Sequence, residues 1–346
     1  MQPTAESPLT RDRAPMELVC PAGSLPALRA AVDNGADCVY LGLRDNTNAR
    51  NFAGLNLDPT AAQEGVRYAH RRGVKVLLAI NTFPQPGAWQ RWTSAVDTAV
   101  QLDFDAIIIA DAGLMRYAAR NHPKLRLHLS VQGSATNYEA INFYRTRFNV
   151  QRAVLPRVLS VSQVEQVIRN TEAEIEVFGF GSLCVMVEGR CALSAFATGH
   201  SPNTTGACSP AAAVRWQEKP DGLESRLNGI LIDKYRNGER AAYPTLCKGR
   251  FKVAGKTYYA IEEPASLNAL ALLPELVRIG VRAVKIEGRQ RSPAYVATVT
   301  RVWRQALDAC ARRGEAFAPA PAWMAALRGV SEGQQDTLGA YYRPWK

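Results

Sequence analysis

The sequence predicts an α/β chain folded as a (β/α)8 TIM-like barrel. Three observations carry this: short runs rich in Val, Ile and Leu recur along the chain, amphipathic helical patterns separate them, and 346 residues suit one such barrel. Hydrophobic residues make up 47% of the chain, ample for a large core. Eight runs read as strands: Glu17–Cys20, Cys38–Leu43, Lys75–Asn81, Asp105–Asp111, Arg126–Gln132, Ala153–Arg157, Ile175–Gly181 and Ala283–Glu287. Helical spacing covers Leu25–Asn34, Thr60–Arg72, Ala88–Leu102, Ala112–Arg120, Tyr138–Thr146 and Ser162–Arg169, with Ser24 and Ser162 where caps belong. A long helix, Pro293–Arg312, has Ser292 as its cap and Pro293 at its first position, and closes the barrel.

The seventh crossover is oversized. About ninety residues follow Gly181 before a helix expected at Ser266–Ile279, and a loop that long inside a compact domain is usually functional or a small domain of its own. Within this insertion, residues 182–265, Arg250–Val253 and Thr257–Ile261 flank Ala254-Gly255-Lys256 as a β-hairpin. The expected organisation is a disordered tail over 1–15, a barrel unit over 16–313 that includes the insertion, and a C-terminal extension over 314–346 entered through Pro319 and Pro321.

The formal charge of +11 permits acidic or nucleic-acid partners without requiring them. Residues 1–15 contain no apolar run, and no later stretch approaches the roughly 18 apolar residues of a membrane span, so a soluble, cytoplasmic chain is expected. In a reducing compartment, seven cysteines point to metal binding more than to disulfides.

Four of them, Cys184, Cys191, Cys208 and Cys247, fall in the insertion with the spacing C-x6-C-x16-C-x38-C. Structural zinc sites normally show a tight C-x2-C or C-x4-C knuckle, which is missing here. Thiols drawn singly from separate loops suit a larger cofactor, and four cysteinates are the usual complement of an iron–sulfur cluster. Spacing alone favours that cluster while leaving zinc or unconnected thiols open. Arg190, Lys248 and Arg250 are placed to offset a cluster's negative charge. Cys20, Cys38 and Cys310 read as small hydrophobes.

Strand alternation turns Lys285 and Glu287 into the barrel while Val284 and Ile286 face the helices. Two charges in a lumen require a reason, and an internal ion pair is the plain one. Asn81, Asp111, Gln132 and Arg157 fall at the carboxyl ends of their strands, the rim where barrel sites assemble, although polar residues also occur there because solvent begins. Among the histidines, His128 is the one whose strand face lets it line the barrel. No G-x-G-x-x-G, P-loop or G-x-S-x-G elbow occurs, and no catalytic nucleophile or base can be named. Nor is there a C-x3-C-x2-C run, so a cluster held by all four thiols suits electron transfer better than Lewis-acid activation of a substrate.

Met16-Glu17-Leu18-Val19-Cys20-Pro21-Ala22-Gly23, Phe180-Gly181-Ser182-Leu183-Cys184, Glu188-Gly189-Arg190-Cys191, Gly206-Ala207-Cys208-Ser209-Pro210, Tyr243-Pro244-Thr245-Leu246-Cys247-Lys248-Gly249-Arg250 and Lys285-Ile286-Glu287-Gly288-Arg289 together resemble the collagenase-like U-family peptidases. Asp45-Asn46-Thr47-Asn48-Ala49-Arg50, Ser331-Glu332-Gly333 and Leu338-Gly339-Ala340-Tyr341 are similar to the ubiquinone-biosynthesis branch of that family. The resemblance implies a 4Fe-4S cluster on Cys184, Cys191, Cys208 and Cys247 and a heterodimer with a UbiV-like iron–sulfur protein. It further implies oxygen-independent hydroxylation of a ubiquinone-precursor ring during anaerobic growth, with prephenate as oxygen donor. Peptidase activity is not expected. On this reading Arg157, Lys285, Glu287 and Arg289 are the candidate substrate-binding residues, their cations serving a dicarboxylate donor. Hydroxylation of RNA bases, as by other relatives, and a zinc-stabilised non-catalytic scaffold are the alternatives, with nucleic acid the disfavoured partner.

Overall fold

The computed structural model describes residues 15–51, 54–186, 190–202 and 206–343; apart from Pro15, the tail expected over 1–15 lies outside them. The barrel strands are β1 Glu17–Pro21, β2 Cys38–Leu41, β3 Lys75–Ile80, β4 Ala106–Ile109, β5 Arg126–Leu129, β6 Val150–Val154 and β7 Glu174–Ser182. They alternate with α1 Leu25–Asp33, α2 Pro59–His70, α3 Trp89–Gln101, α4 Ala112–Asn121, α5 Tyr138–Phe148 and α6 Val161–Arg169. A later strand, β14 Ala283–Ile286, pairs in parallel with both β7 and β1, closing the eight-stranded barrel that the alternation predicts.

Side-chain parity divides the core in two. Leu18, Cys20, Val39, Leu41, Leu78, Val284 and Ile286 pack outward against the helices, whereas Val19, Cys38, Tyr40, Leu77, Ala106, Ile108 and Ala283 form a separate lumen cluster. Ser24 accepts a hydrogen bond from the Ala27 amide and starts α1, and Ser292 does the same for Tyr295 at the head of the long helix. At α6 the cap is Ser160 and not Ser162, because Ser160 and Gln163 form a reciprocal capping box that fixes the start two residues earlier. The sixth strand also lies earlier than Ala153–Arg157: Asn149 takes a left-handed conformation directly after α5, and β6 begins at Val150.

The insertion contains the short helix α7 Ala192–Thr198 and an antiparallel sheet of β8 Val214–Lys219, β9 Gly222–Leu227 and β10 Ile230–Arg236, which the sequence reading did not include. Their sequences (VRWQEK, GLESRL, ILIDKYR) mix charges on both faces, so no apolar run marks them. The expected hairpin is present as β11 Phe251–Val253 and β12 Lys256–Tyr258; Ala254 and Gly255 turn it with positive φ, and Lys256 belongs to the strand.

The helix expected at Ser266–Ile279 needs correction. Ser266–Asn268 is a strand, β13, antiparallel to β7, and helix α8 runs only over Leu273–Ile279. The amides of Leu267 and its neighbours are drawn into the sheet because the exposed edge of β7 beyond the barrel offers partners. After α9 Pro293–Arg313, the C-terminal extension forms α10 Pro321–Val330 and the two-residue strand β15 Asp336–Thr337, which pairs with β13. No helix among the described residues is long and apolar enough to cross a membrane.

Candidate active site at the cysteine-lined end of the barrel

The carboxyl ends of the barrel strands open into a cavity of about 540 Å³. Cys184, Cys191, Cys208 and Cys247 all line it, although 38 residues separate the last two in sequence. None is in a disulfide. Cys184 follows β7 by two residues, so the barrel itself positions it. Cys191 caps α7, its sulfur accepting from the Ser194 amide at 3.4 Å, and the Ser194 hydroxyl donates to the Cys208 carbonyl, joining those two segments. Cys247 sits in a single 3-10 turn, Leu246–Lys248. The insertion is docked onto the loop after β2: Arg50 donates to the Gly206 carbonyl, and a Cβ on Gly206, whose φ is +70°, would lie 1.9 Å from the Arg50 nitrogen.

The barrel supplies the opposite wall. Lys285 and Glu287 do point inward, as alternation requires. The Lys285 ammonium donates to Glu176 at 2.8 Å and lies 3.9 Å from the Tyr40 ring centroid, so the internal ion pair is formed as well. Glu176 connects onward through the buried Arg152 at 3.3 Å to Glu17 and out to the exposed Lys75, an ionic chain below the cavity. Arg289 is buried against the β2 loop, donating to the Asn48 side chain at 2.9 Å and to the Ala49 carbonyl; burial lowers its pKa to about 10. Arg157 lies three residues beyond β6, donates to the Ser182 carbonyl and stacks 4.4 Å from the Phe178 ring centroid. Burial opposes the charge on Glu287, but Arg50, Arg157 and Arg291 outweigh it and hold the carboxyl below its ordinary range. The cavity wall thus carries an ionised carboxylate among arginines, with Arg50 at 4.0 Å.

Other expectations separate cleanly. Asn81 and Gln132 line the cavity, Asn81 accepting from the Ala49 amide at 3.0 Å. Asp111 is instead the cap of α4, bound to the Leu114 amide at 2.8 Å. His128 is buried in the lumen, away from the cavity lining, and both ring nitrogens lack a hydrogen-bond partner. Burial, with Arg152, Arg126 and Lys285 adding, depresses its pKa and keeps it neutral. Arg250 turns away to Asp233 and Glu239, so it does not serve the cysteines; Arg190 stacks 4.2 Å from the Phe83 centroid. Sequence reasoning assigned no role to Arg50 or Glu332, both cavity residues; their only signal was membership of motif stretches.

The model of peptidase family U32 matches residues 23–343. The chain belongs to this family. Among curated relatives, the "Uncharacterized protease MJ0090" of Methanocaldococcus jannaschii is 32% identical over 85% of this chain and 65% of its own length. The "tRNA hydroxylation protein P" of Escherichia coli is 32% identical over 84% of this chain and 68% of that protein. The "23S rRNA 5-hydroxycytidine C2501 synthase" of Escherichia coli is 30% identical over 85% of this chain but only 39% of that protein. The chain thus spans about two thirds, or less, of these relatives' lengths.

In this U32 chain four cysteines on one cavity wall are a donor set that suits a sulfur-ligated cofactor. Burial pushes the Cys247 thiol up to about 12, against Lys248 and with Cys208 and Cys191 adding. Among the described residues, no three His, Cys, Asp or Glu side chains converge closely enough for a single metal ion.

Proposed function

We propose that this chain is the iron–sulfur subunit of an oxygen-independent hydroxylase that works in the cytoplasm. Its substrate would be the aromatic ring of a ubiquinone precursor during anaerobic growth, its partner a UbiV-like iron–sulfur protein and its oxygen donor prephenate. The observation that carries this reading is that four cysteines and the cations of Arg50, Arg157, Lys285 and Arg289 line one cavity at the carboxyl end of the barrel strands. Cys184, Cys191, Cys208 and Cys247 would hold the 4Fe-4S cluster, which supplies one-electron chemistry when bound.

The chain's own residues perform the rest. Arg157 and Arg289, each anchored by backbone carbonyls, present preorganised positive charge suited to a dicarboxylate. Lys285 adds charge to the cavity while remaining tied to Glu176, so its field is partly neutralised. Glu287, kept ionised, can accept a proton released at the cavity wall. Ala79, Ile108, Val154 and Phe178 provide an apolar floor for a ring.

The test is a deletion strain profiled anaerobically for quinone intermediates, complemented with the wild-type chain or with Lys285→Ala and Arg289→Ala. Full hydroxylation by both variants would remove the substrate assignment. A second reading, hydroxylation of an RNA base, is favoured by the names of the E. coli relatives. Gel shift with cellular RNA separates the two: salt-sensitive binding supports RNA, and none at low or moderate salt removes it.

A further inference from the structure

The C-terminal extension lines the cavity with Ser331, Glu332 and Gly333, and of these Glu332 bonds to the segments that carry the cysteines. Glu332 lines the cavity, and its carboxylate accepts from the Lys248 ammonium at 2.5 Å and from the Ser182 hydroxyl at 3.4 Å, while Lys248 also donates to Ser182 at 3.3 Å. Lys248 directly follows Cys247, and Ser182 precedes Cys184 by two residues. The Lys248 and Glu332 side chains are 2% and 8% exposed, so this is a dehydrated ion pair. Glu332 is itself pinned: its amide donates to the Ser266 hydroxyl at 2.9 Å, and the Ser266 amide donates to the Gln335 carbonyl at 3.0 Å. Ser266 belongs to β13, which is paired with β7 at Ser182. Gly333 permits this path, since its φ is +58° and a Cβ there would meet the Pro264 carbonyl at 2.8 Å.

The four cysteines are therefore held in two couples by different devices. Ser194 joins the Cys191 and Cys208 segments within the insertion. We infer that Glu332 is a positioning residue that clamps the Cys184 and Cys247 segments together from the C-terminal extension, fixing the spacing of half the thiol set. The extension is on this view part of the cofactor site and not an appendage. The inference rests on the iron–sulfur reading only for its consequence; the clamp itself is a property of the chain.

The experiment uses the full chain, with and without iron, as Glu332→Gln and Ser182→Ala. In the cofactor-free protein, hydrogen–deuterium exchange reads local opening. With Glu332→Gln the amides of 182–186 and 246–250 are expected to exchange roughly tenfold faster or more, while those of 206–210 stay unchanged. Ser182→Ala should accelerate 182–186 alone. In protein reconstituted anaerobically, Glu332→Gln should lose iron to a chelator roughly tenfold faster and shift the reduction midpoint, because Lys248 is released beside Cys247. Unchanged exchange in 182–186 and 246–250, or equal acceleration of all three segments, overturns the clamp. If the wild-type chain takes up no iron and sulfide, the cofactor reading fails, and the exchange result still decides the clamp.

Discussion

Lys285 Nζ lies 2.8 Å from Glu176 Oε1 in the barrel lumen, with Glu176 wholly buried and Lys285 5% exposed. Removing one member of such a pair strands a charge in a medium that cannot solvate it, at a typical cost of about 3–5 kcal/mol. Glu176 keeps Arg152 at 3.3 Å, so Lys285→Met should fall at or below the lower end. The double variant Lys285→Met/Glu176→Gln should be less destabilised than the sum of its singles. Urea unfolding of the four proteins gives the coupling; additive losses would show that the pair contributes nothing.

The lower end of the same ionic chain predicts acid sensitivity. Burial works against the charge on Glu17, but Arg152 and Lys75 prevail and bring its pKa from 4.5 to about 2. A depressed carboxyl stabilises above its unfolded value and loses that contribution as pH falls through its folded one. The stabilisation is on the order of 3 kcal/mol, complete above about pH 5 and lost between there and pH 2. Glu17→Gln should flatten the decline in unfolding free energy over that window. An undiminished slope would assign acid sensitivity to other groups.

Arg157 and Arg289 differ in what their loss should do. Arg157→Ala removes a cation stacked on Phe178 and, on the proposed assignment of prephenate as the donor, should weaken its binding about tenfold or more, read by calorimetry on anaerobically reconstituted protein. Arg289→Ala also removes the bonds to Asn48 and Ala49 and should loosen the β2 loop. Arg289→Lys should not restore binding, since an ammonium cannot reach two partners in one plane. Equal affinity in wild type and Arg157→Ala would place the anion elsewhere.

Cysteine substitutions should sort by location. Cys208→Ser is expected to abolish stoichiometric iron and sulfide, measured chemically on anaerobically purified protein. Cys310→Ser, buried in α9 with no part in the cavity, should retain both and alter only stability. Iron loss from both alike would mean that folding and not ligation is being measured.

The barrel was legible because its information is local. Runs such as Val39–Leu41 and Ile107–Ile109 carry the apolar content of a buried strand, and the Ser24 and Ser292 caps act within three residues. The inward face of Lys285 and Glu287 followed from period-two geometry alone. What failed was set by competition or distance. Ser160 outbid Ser162 through a capping box, and Ser266–Asn268 became a strand because an edge of β7 was available to it. The β8–β10 sheet exposes charges on both faces and leaves no periodic trace.

The site divides in the same way. The sequence by itself determined the eight-strand alternation, the membership of four cysteines in one insertion, and the inward face of Lys285 and Glu287, since each depends on residue type and spacing along the chain. Only the tertiary structure decided that Lys285 spends its charge on Glu176, that Arg250 leaves the cysteines for Asp233, and that Glu332 meets Lys248 across 84 residues. A salt bridge depends on the separation of two side chains in space, and chain closure over such distances is fixed by packing of the whole barrel, which no local pattern encodes.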